Sequence, residues 1–285
     1  MKKKLAVNID KELAGKTIES ILKRHLEMSA SLISRLKRTE NAVLLNGRTV
    51  RMIDRVKEGD CLEIVVRDRE KGSVFKWSYP FDVLYEDEDV LVVNKPRSMP
   101  THPSKNHRTD TLANAVAHYL DTNTVFHAIT RLDKDTSGVV LIAKNAHSAK
   151  ILTESVKDMK KEYIAVVNGV PFPKKGTIDC PIGREGSTMR RYICENGKAA
   201  LTYYEVEEEK GDFSIVHFFP VTGRTHQLRV HLSHIGNPIY GDSMYGAPQK
   251  GEKTLLHCYK LQFRHPVTKN KIEVIAPVPY DIKRI

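Results

Sequence analysis

Residues 138–143, GVVLIA, run apolar without a polar break and directly follow the polar stretch TRLDKDTS. Six residues are too few for a helix, and the β-branched content suits a strand buried on both faces. A chain with such a strand must build a sheet around it and cover that sheet. Further strand signals occur in VLVVNKP, KEYIAVVNG, GTIDCPIG, AALTYYEVEE, FSIVHFFPV and LHCYKLQFRHP. Only TLANAVAHYL, AHSAKILTESVKDM and RTHQLRVHLSHIG read as helices, the last with Leu228, Leu232 and Ile235 on one stripe and Gly236 as its C-terminal cap. Many strands and few helices imply an α+β fold with a mixed, largely antiparallel sheet, not alternating βαβ units. FDVLYEDEDVLVV reads as a hairpin whose acidic tip faces water.

A smaller unit precedes this one. Apolar residues at Ile18, Ile21, Leu22 and Leu26, then at Leu32, Ile33 and Leu36, predict two short helices. Asn46-Gly47 between apolar runs predicts a tight hairpin, and VKEGDCLEIVV a turn and closing strand. We expect residues 1–66 to form this helix-helix-hairpin domain, residues 67–80 a linker, and residues 81–285 the larger sheet domain.

The formal net charge is +11 over 285 residues, and residues 1–76 hold 18 Lys and Arg against 11 Asp and Glu. Such an excess favours a polyanionic partner. Arg35, Lys37, Arg38 and Arg48 cluster on the second helix and the hairpin as candidate contacts to such a partner. Four scattered cysteines without a C-x-x-C pair indicate reduced thiols and a cytoplasmic location. No apolar stretch approaches the roughly 18 residues of a membrane span, so no membrane association is expected. His226, His231 and His234 invite a metal reading, but on a helix only 231 and 234 share a face, and no further ligand stands nearby. Neither a metal nor a nucleotide cofactor is expected, since no phosphate-binding glycine fingerprint is present.

Residues 13–66 resemble the alpha-L RNA-binding domain through SASLISRLKRTENAVLLNGRTV and VKEGDCLEIVV. That resemblance implies a grip on RNA shape and phosphate with little base readout. Residues 80–280 resemble the RluA-type pseudouridine synthases in five blocks in family order: NKPRSMPTHP, HAITRLDKDTSGVVLIAKN, KKEYIAVVNG, PVTGRTHQLRVHLSHIGNPIYGDSMYG and LHCYKLQFRHP. The combination is most similar to members that modify large-subunit ribosomal RNA, and a monomer is expected.

The resemblance implies that Asp133 is the catalytic carboxylate, acting as nucleophile or as the base that opens a glycal route. It also implies that Arg224 pairs with Asp133, that Tyr163 stacks on the flipped uracil, and that Arg131 fills the vacated space or holds a phosphate. Relatives usually carry His before R-L-D, where this chain has Thr130, with His127 three residues earlier. Asp135 imitates the second carboxylate of a glycosidase, but no such pair is expected to act here. Three other functions fit parts of the pattern: a transfer RNA pseudouridine synthase, a hydrolase releasing free base, and a non-catalytic ribosome-assembly protein.

Overall fold

A computed structural model describes residues 2–67, 75–121, 126–184, 186, 188–246 and 253–284. In the first unit, β1 (Lys2–Asn8) precedes α1 (Ile18–Ser20), which continues as a π turn, and α2 (Ala30–Arg38). Then come β2 (Val43–Leu45), β3 (Arg48–Thr49) and β4 (Cys61–Arg67), and the sheet order is β1-β4-β2-β3. Ser29 caps α2 by accepting from the Leu32 N–H at 3.1 Å. Asn46 and Gly47 both have positive φ, 51° and 77°, as the expected two-residue hairpin requires. Ile18, Leu22, Leu32, Leu36, Leu62 and Ile64 form a core of their own.

Two features of this unit depart from the sequence reading. The first expected helix is only a short α stretch joined to the π turn Ile21–His25. Strand β1 was not foreseen, because KKK masks an alternation in which Lys3, Leu5 and Val7 share the less exposed side.

The second unit is built on a ten-stranded sheet. Its elements are β5 (Asp82–Glu86), β6 (Val90–Lys95), α3 (Leu112–Tyr119), β7 (His127–Ala128), β8 (Ser137–Ala143), α4 (Ala146–Glu154) and β9 (Lys160–Asn168). The chain continues through β10 (Lys175–Asp179), the separate hairpin β11 (Ile182–Arg184) and β12 (Arg191–Ile193), β13 (Leu201–Lys210), β14 (Phe213–Pro220) and α5 (Gln227–His234). It closes with β15 (Leu256–Arg264), β16 (Lys271–Ile275) and α6 (Tyr280–Lys283). The strand order is β10-β13-β14-β9-β15-β8-β6-β5, with β16 paired to β15 and β7 to β8. All pairings are antiparallel except β15 with β8. The fold is thus α+β with a largely antiparallel mixed sheet. Every residue of β8 is buried, as its apolar run requires. No helix among the described residues is long and apolar enough to cross a membrane.

The parallel contact explains one glycine. Gly138 has φ +110°, and a Cβ there would lie 2.2 Å from the Cys258 carbonyl oxygen. Only glycine lets β15 approach β8 so closely.

Residues 68–74 of the expected linker lie outside the described residues, and the part from residue 75 is not loose. Asn114 Nδ2 donates to the Phe75 carbonyl at 2.8 Å, and Trp77 and Tyr79, with ring centroids 4.4 Å apart, pack on the core under α3. The acidic hairpin tip is also not wholly solvated. Asp89 is buried and accepts from Ser148 Oγ at 2.7 Å and Asn145 Nδ2 at 3.0 Å, while Lys3 of β1 pairs with its other oxygen. With Lys269–Glu27 at 3.0 Å, this pair ties the first unit to the second.

His257, fully buried on β15, has Nδ1 2.9 Å from Ser137 Oγ. Burial pushes it from its ordinary 6.5 down to about 4. The unfolded chain takes up a proton as pH falls through 6.5, whereas the folded protein refuses it until about 4. The contribution of neutral His257 is complete above pH 6.5 and is lost on acidification from 6.5 to 4, at up to ~1.4 kcal/mol per pH unit. Urea denaturation from pH 7.5 to 4.5 should show this fall, and H257Q should flatten it.

Candidate active site

A cleft of about 560 Å³ opens where β8, β9 and α5 converge, and Arg131, Asp133, Tyr163, Arg224, His226 and Arg229 all line it. Asp133 sits on the turn between β7 and β8, with its side chain 29% exposed. Loops are mobile unless tied down, and this one is tied from two sides. Lys95, with no exposed surface, donates to the carbonyls of Pro96 and Met99 at 2.8 Å and of Lys134 at 3.2 Å. Thr101 Oγ1, also buried, donates to the Leu132 carbonyl at 2.9 Å and accepts from the Leu132 N–H at 3.3 Å. The residues flanking Asp133 are thereby fixed through their backbone.

Burial pushes the Lys95 ammonium down to about 7, against the pull of Asp135 and Asp133. Below about pH 7 it carries the three protons that its three carbonyls use. Above it, one carbonyl loses its donor.

The partner of Asp133 is Arg229, not Arg224. Arg229 Nη1 lies 3.4 Å from Asp133 Oδ2, while Nε and Nη2 hold the two oxygens of fully buried Asp242 at 2.7 and 2.8 Å. Burial opposes the Arg229 charge, but Asp242 and Asp133 outweigh it and raise the group above its ordinary value. Arg224 lies before α5 and is exposed; its Nε donates to the Ala199 carbonyl at 2.9 Å, and its backbone N–H to Gln227 Oε1. The reason is helical phase. Arg229 falls on the buried first turn of α5, whereas Arg224 precedes the helix. An arginine set between Leu228 and Val230 on the helix was the available signal.

Tyr163 is on β9, opposite Phe218 and Cys258. Burial, reinforced by the neighbouring Cys258 thiol, raises its phenol well above the ordinary value, so it faces the cleft protonated. Lys161, also lining the cleft, is pushed down by burial. Arg131 is exposed at the mouth. Thr130, at the position where histidine was expected, is buried and its Oγ1 accepts from the Leu141 N–H at 2.9 Å. It secures the turn to β8 instead of reaching outward. His127 and Asp135 are not among the residues lining the cleft.

Of the three histidines weighed as metal ligands, His226 and His231 have protein partners. His231 is buried between Thr202 Oγ1 and the Cys180 carbonyl, each at 3.0 Å. His226 Nδ1 meets the Tyr245 hydroxyl at 2.8 Å, and its Nε2 stands 3.9 Å from Asp133 Oδ2. Arg229, Tyr245, Lys95 and Asp242 are site residues that sequence reasoning missed, and His226 was weighed there only as a metal ligand.

In the first unit Arg38 and Arg48 are exposed, Arg35 is half-buried, and Lys37 is paired with Glu19 at 3.0 Å.

Residues 89–234, which carry the cleft, match the RNA pseudouridylate synthase family. The chain belongs to that family. It is 37% identical over 297 residues to the uncharacterized RNA pseudouridine synthase YhcT of Bacillus subtilis, covering 99% of this chain and 96% of the relative. It is 33% identical over 295 residues to ribosomal large subunit pseudouridine synthase D of Xanthomonas campestris, covering 95% and 88%. Among solved structures, human RNA pseudouridylate synthase domain containing 1 superposes with a TM-score of 0.61 at 32% identity, covering 74% of this chain and 87% of that one. The protein is therefore an RNA pseudouridine synthase, an isomerase whose substrate is RNA.

Replacing Lys95 by Met should leave three carbonyls, that of Met99 buried, without their donor. We expect a loss of roughly 2–4 kcal/mol in urea denaturation. Turnover by the folded fraction should fall as well, because the Asp133 turn is no longer held.

Proposed function

We propose that this synthase isomerises specific uridines of large-subunit ribosomal RNA, with Asp133 as the nucleophile. The observation that carries the reading is a partly exposed carboxylate in a cleft beside a guanidinium that a second, buried carboxylate locks in place. Asp242 satisfies Arg229 along its Nε and Nη2 edge, which leaves Nη1 for Asp133.

The target uridine must leave the RNA stack to reach Asp133, at a cost of a few kcal/mol. Arg131, exposed at the mouth, occupies the vacated place or holds a phosphate. In the cleft the uracil stacks on Tyr163. Asp133 attacks C1′ as the C1′–N1 bond breaks, and the uracil leaves as an anion that stays in the cleft. The base turns, C5 bonds to C1′, the bond to Asp133 breaks, and the C5 proton is transferred so that N1 ends protonated. Atoms and electrons balance within the uridine. Arg229 keeps the carboxylate oriented before attack and as it is released. Exposed Arg224 stands at the rim, within reach of the RNA backbone.

The first unit serves in this reading as an alpha-L-type grip on structured RNA, with Arg38 and Arg48 its exposed contacts. The large-subunit assignment is supported by the relatives whose names specify that substrate.

The test is D133N on large-subunit ribosomal RNA, with pseudouridine mapped by carbodiimide modification and primer extension. The isosteric change should lower the rate by at least about four orders of magnitude while RNA affinity stays near wild type. Appreciable turnover by D133N rejects the nucleophile, and modification of transfer RNA in preference to ribosomal RNA rejects the substrate.

Substituting Ala for Arg38 and Arg48 together should raise KM for large-subunit RNA about 10-fold. It should also lower the slope of log affinity against log salt by about two, with kcat unchanged. A titration at several salt concentrations measures both.

A further inference from the structure

His226 occupies an unusual place for a side chain with no assigned task. It is the N-cap of α5, in the left-handed region at φ 58° and ψ 20°, a conformation that His, Asn and Asp adopt more readily than other non-glycine residues. Its ring lies between two groups. Nδ1 is 2.8 Å from the Tyr245 hydroxyl, and Nε2 is 3.9 Å from Asp133 Oδ2, on the side of the cleft where Arg229 also approaches.

The hydrogen-bond inventory sets the tautomer. The backbone N–H of Arg191, on β12, donates to the Tyr245 oxygen at 2.8 Å. That leaves the Tyr245 proton to be placed on an acceptor, and the partner in reach is His226 Nδ1. Burial raises the Tyr245 phenol, so the proton stays on its oxygen. Burial also pushes the His226 imidazole down, with Arg229 and Arg191 acting in the same direction against Asp133. A neutral ring that accepts at Nδ1 carries its one proton on Nε2, and Nε2 is the nitrogen that faces Asp133.

We infer that His226 is a positioning residue for Asp133, presenting Nε2–H to the carboxylate as the second of two donors, with Arg229 the first. At 3.9 Å the contact is not a hydrogen bond in the free protein. Catalytic contacts of this kind tighten when substrate binds, and the required approach is about 1 Å. Two donors from α5 and its cap hold one carboxylate oxygen by different means, one charged and one neutral. The neutral donor can follow the carboxylate as its charge is lost on attack and regained on release. The inference rests on the pseudouridine synthase activity and on Asp133 as its nucleophile.

Two substitutions separate positioning from a structural role. Asn tolerates the left-handed backbone and can reach Tyr245, but its amide ends near the place of Nδ1 and falls short of Asp133. Gln suits that backbone less well, yet its amide nitrogen reaches the place of Nε2. H226N should lower kcat about 100-fold with KM for RNA within about 3-fold, the scale of a misplaced reacting group. H226Q should recover most of that loss even if its Tm is lower. A purely structural role predicts the reverse order, and activity of H226N equal to or above that of H226Q overturns the inference. So does a loss confined to KM.

A second measurement does not depend on turnover. In histidine-labelled wild-type protein, ¹⁵N NMR should show the His226 ring, assigned by its loss in H226N, as the neutral Nε2–H tautomer, and Y245F should remove that preference. An Nδ1–H tautomer in the wild type overturns the inference. Should wild-type protein form no pseudouridine in large-subunit or transfer RNA, the activity reading fails instead, and the NMR result still decides how His226 is held.

Discussion

One buried ammonium underlies the site. A nucleophile that must meet a flipped nucleotide has to sit on a turn at the open end of a sheet, where backbone is ordinarily free to move. Lys95 resolves the conflict by donating from inside the protein to carbonyls on both the β6 side and the Asp133 side of the cleft floor. Taking a lysine wholly out of water is unfavourable unless its protons are all used. Here three carbonyls use them, and Thr101 closes the remaining gap at Leu132. The result is a carboxylate with a rigid backbone and an accessible side chain.

The opposite wall follows the same logic with the charges reversed. Arg229 is buried beside Asp242, which also accepts from the N–H groups of Met244 and Tyr245. Fully satisfied, Asp242 serves as an anchor and leaves the guanidinium one free edge to present. Tyr245 then joins the wall to the β11–β12 hairpin through Arg191 and lies under the Arg229 guanidinium, 5.1 Å from its ring centroid. The site is thus two rigid shells, one carrying the nucleophile and one carrying the donors, with the cleft between them.

What could be read from the sequence was what local chemistry specifies. The buried strand at 137–143 has a composition that few other structures can accommodate, and Asn46-Gly47 leaves little choice of turn. The candidate site was legible as a set of blocks, with Asp133, Tyr163 and Arg131 brought to one cleft. Pairing was not legible. Asp133 and Arg229 are 96 residues apart in sequence, and nothing local distinguishes the arginine before a helix from the one on its first turn until the helix start is known. Strand β1 and buried Asp89 were hidden for a related reason. Lys3 and Asp89 each look like solvated charges and make sense underground only as a pair. Lys95 escaped notice because its partners are backbone carbonyls, which have no signature in side-chain sequence.

The position of β15 in the sheet bears on how the protein is made. It lies between β8 and β9, yet it is formed by residues 256–264, about 90 residues after β9 in sequence. Until those residues leave the ribosome, the strands stand as two separate groups, β5-β6-β8 and β9-β14-β13-β10. Asp133 belongs to the first group, and Tyr163, His226 and Arg229 belong to the second. A nascent chain that has not reached residue 256 therefore has these four side chains but no active site. The synthase can begin to modify RNA only after residues 256–264 have been made and have folded between the two groups.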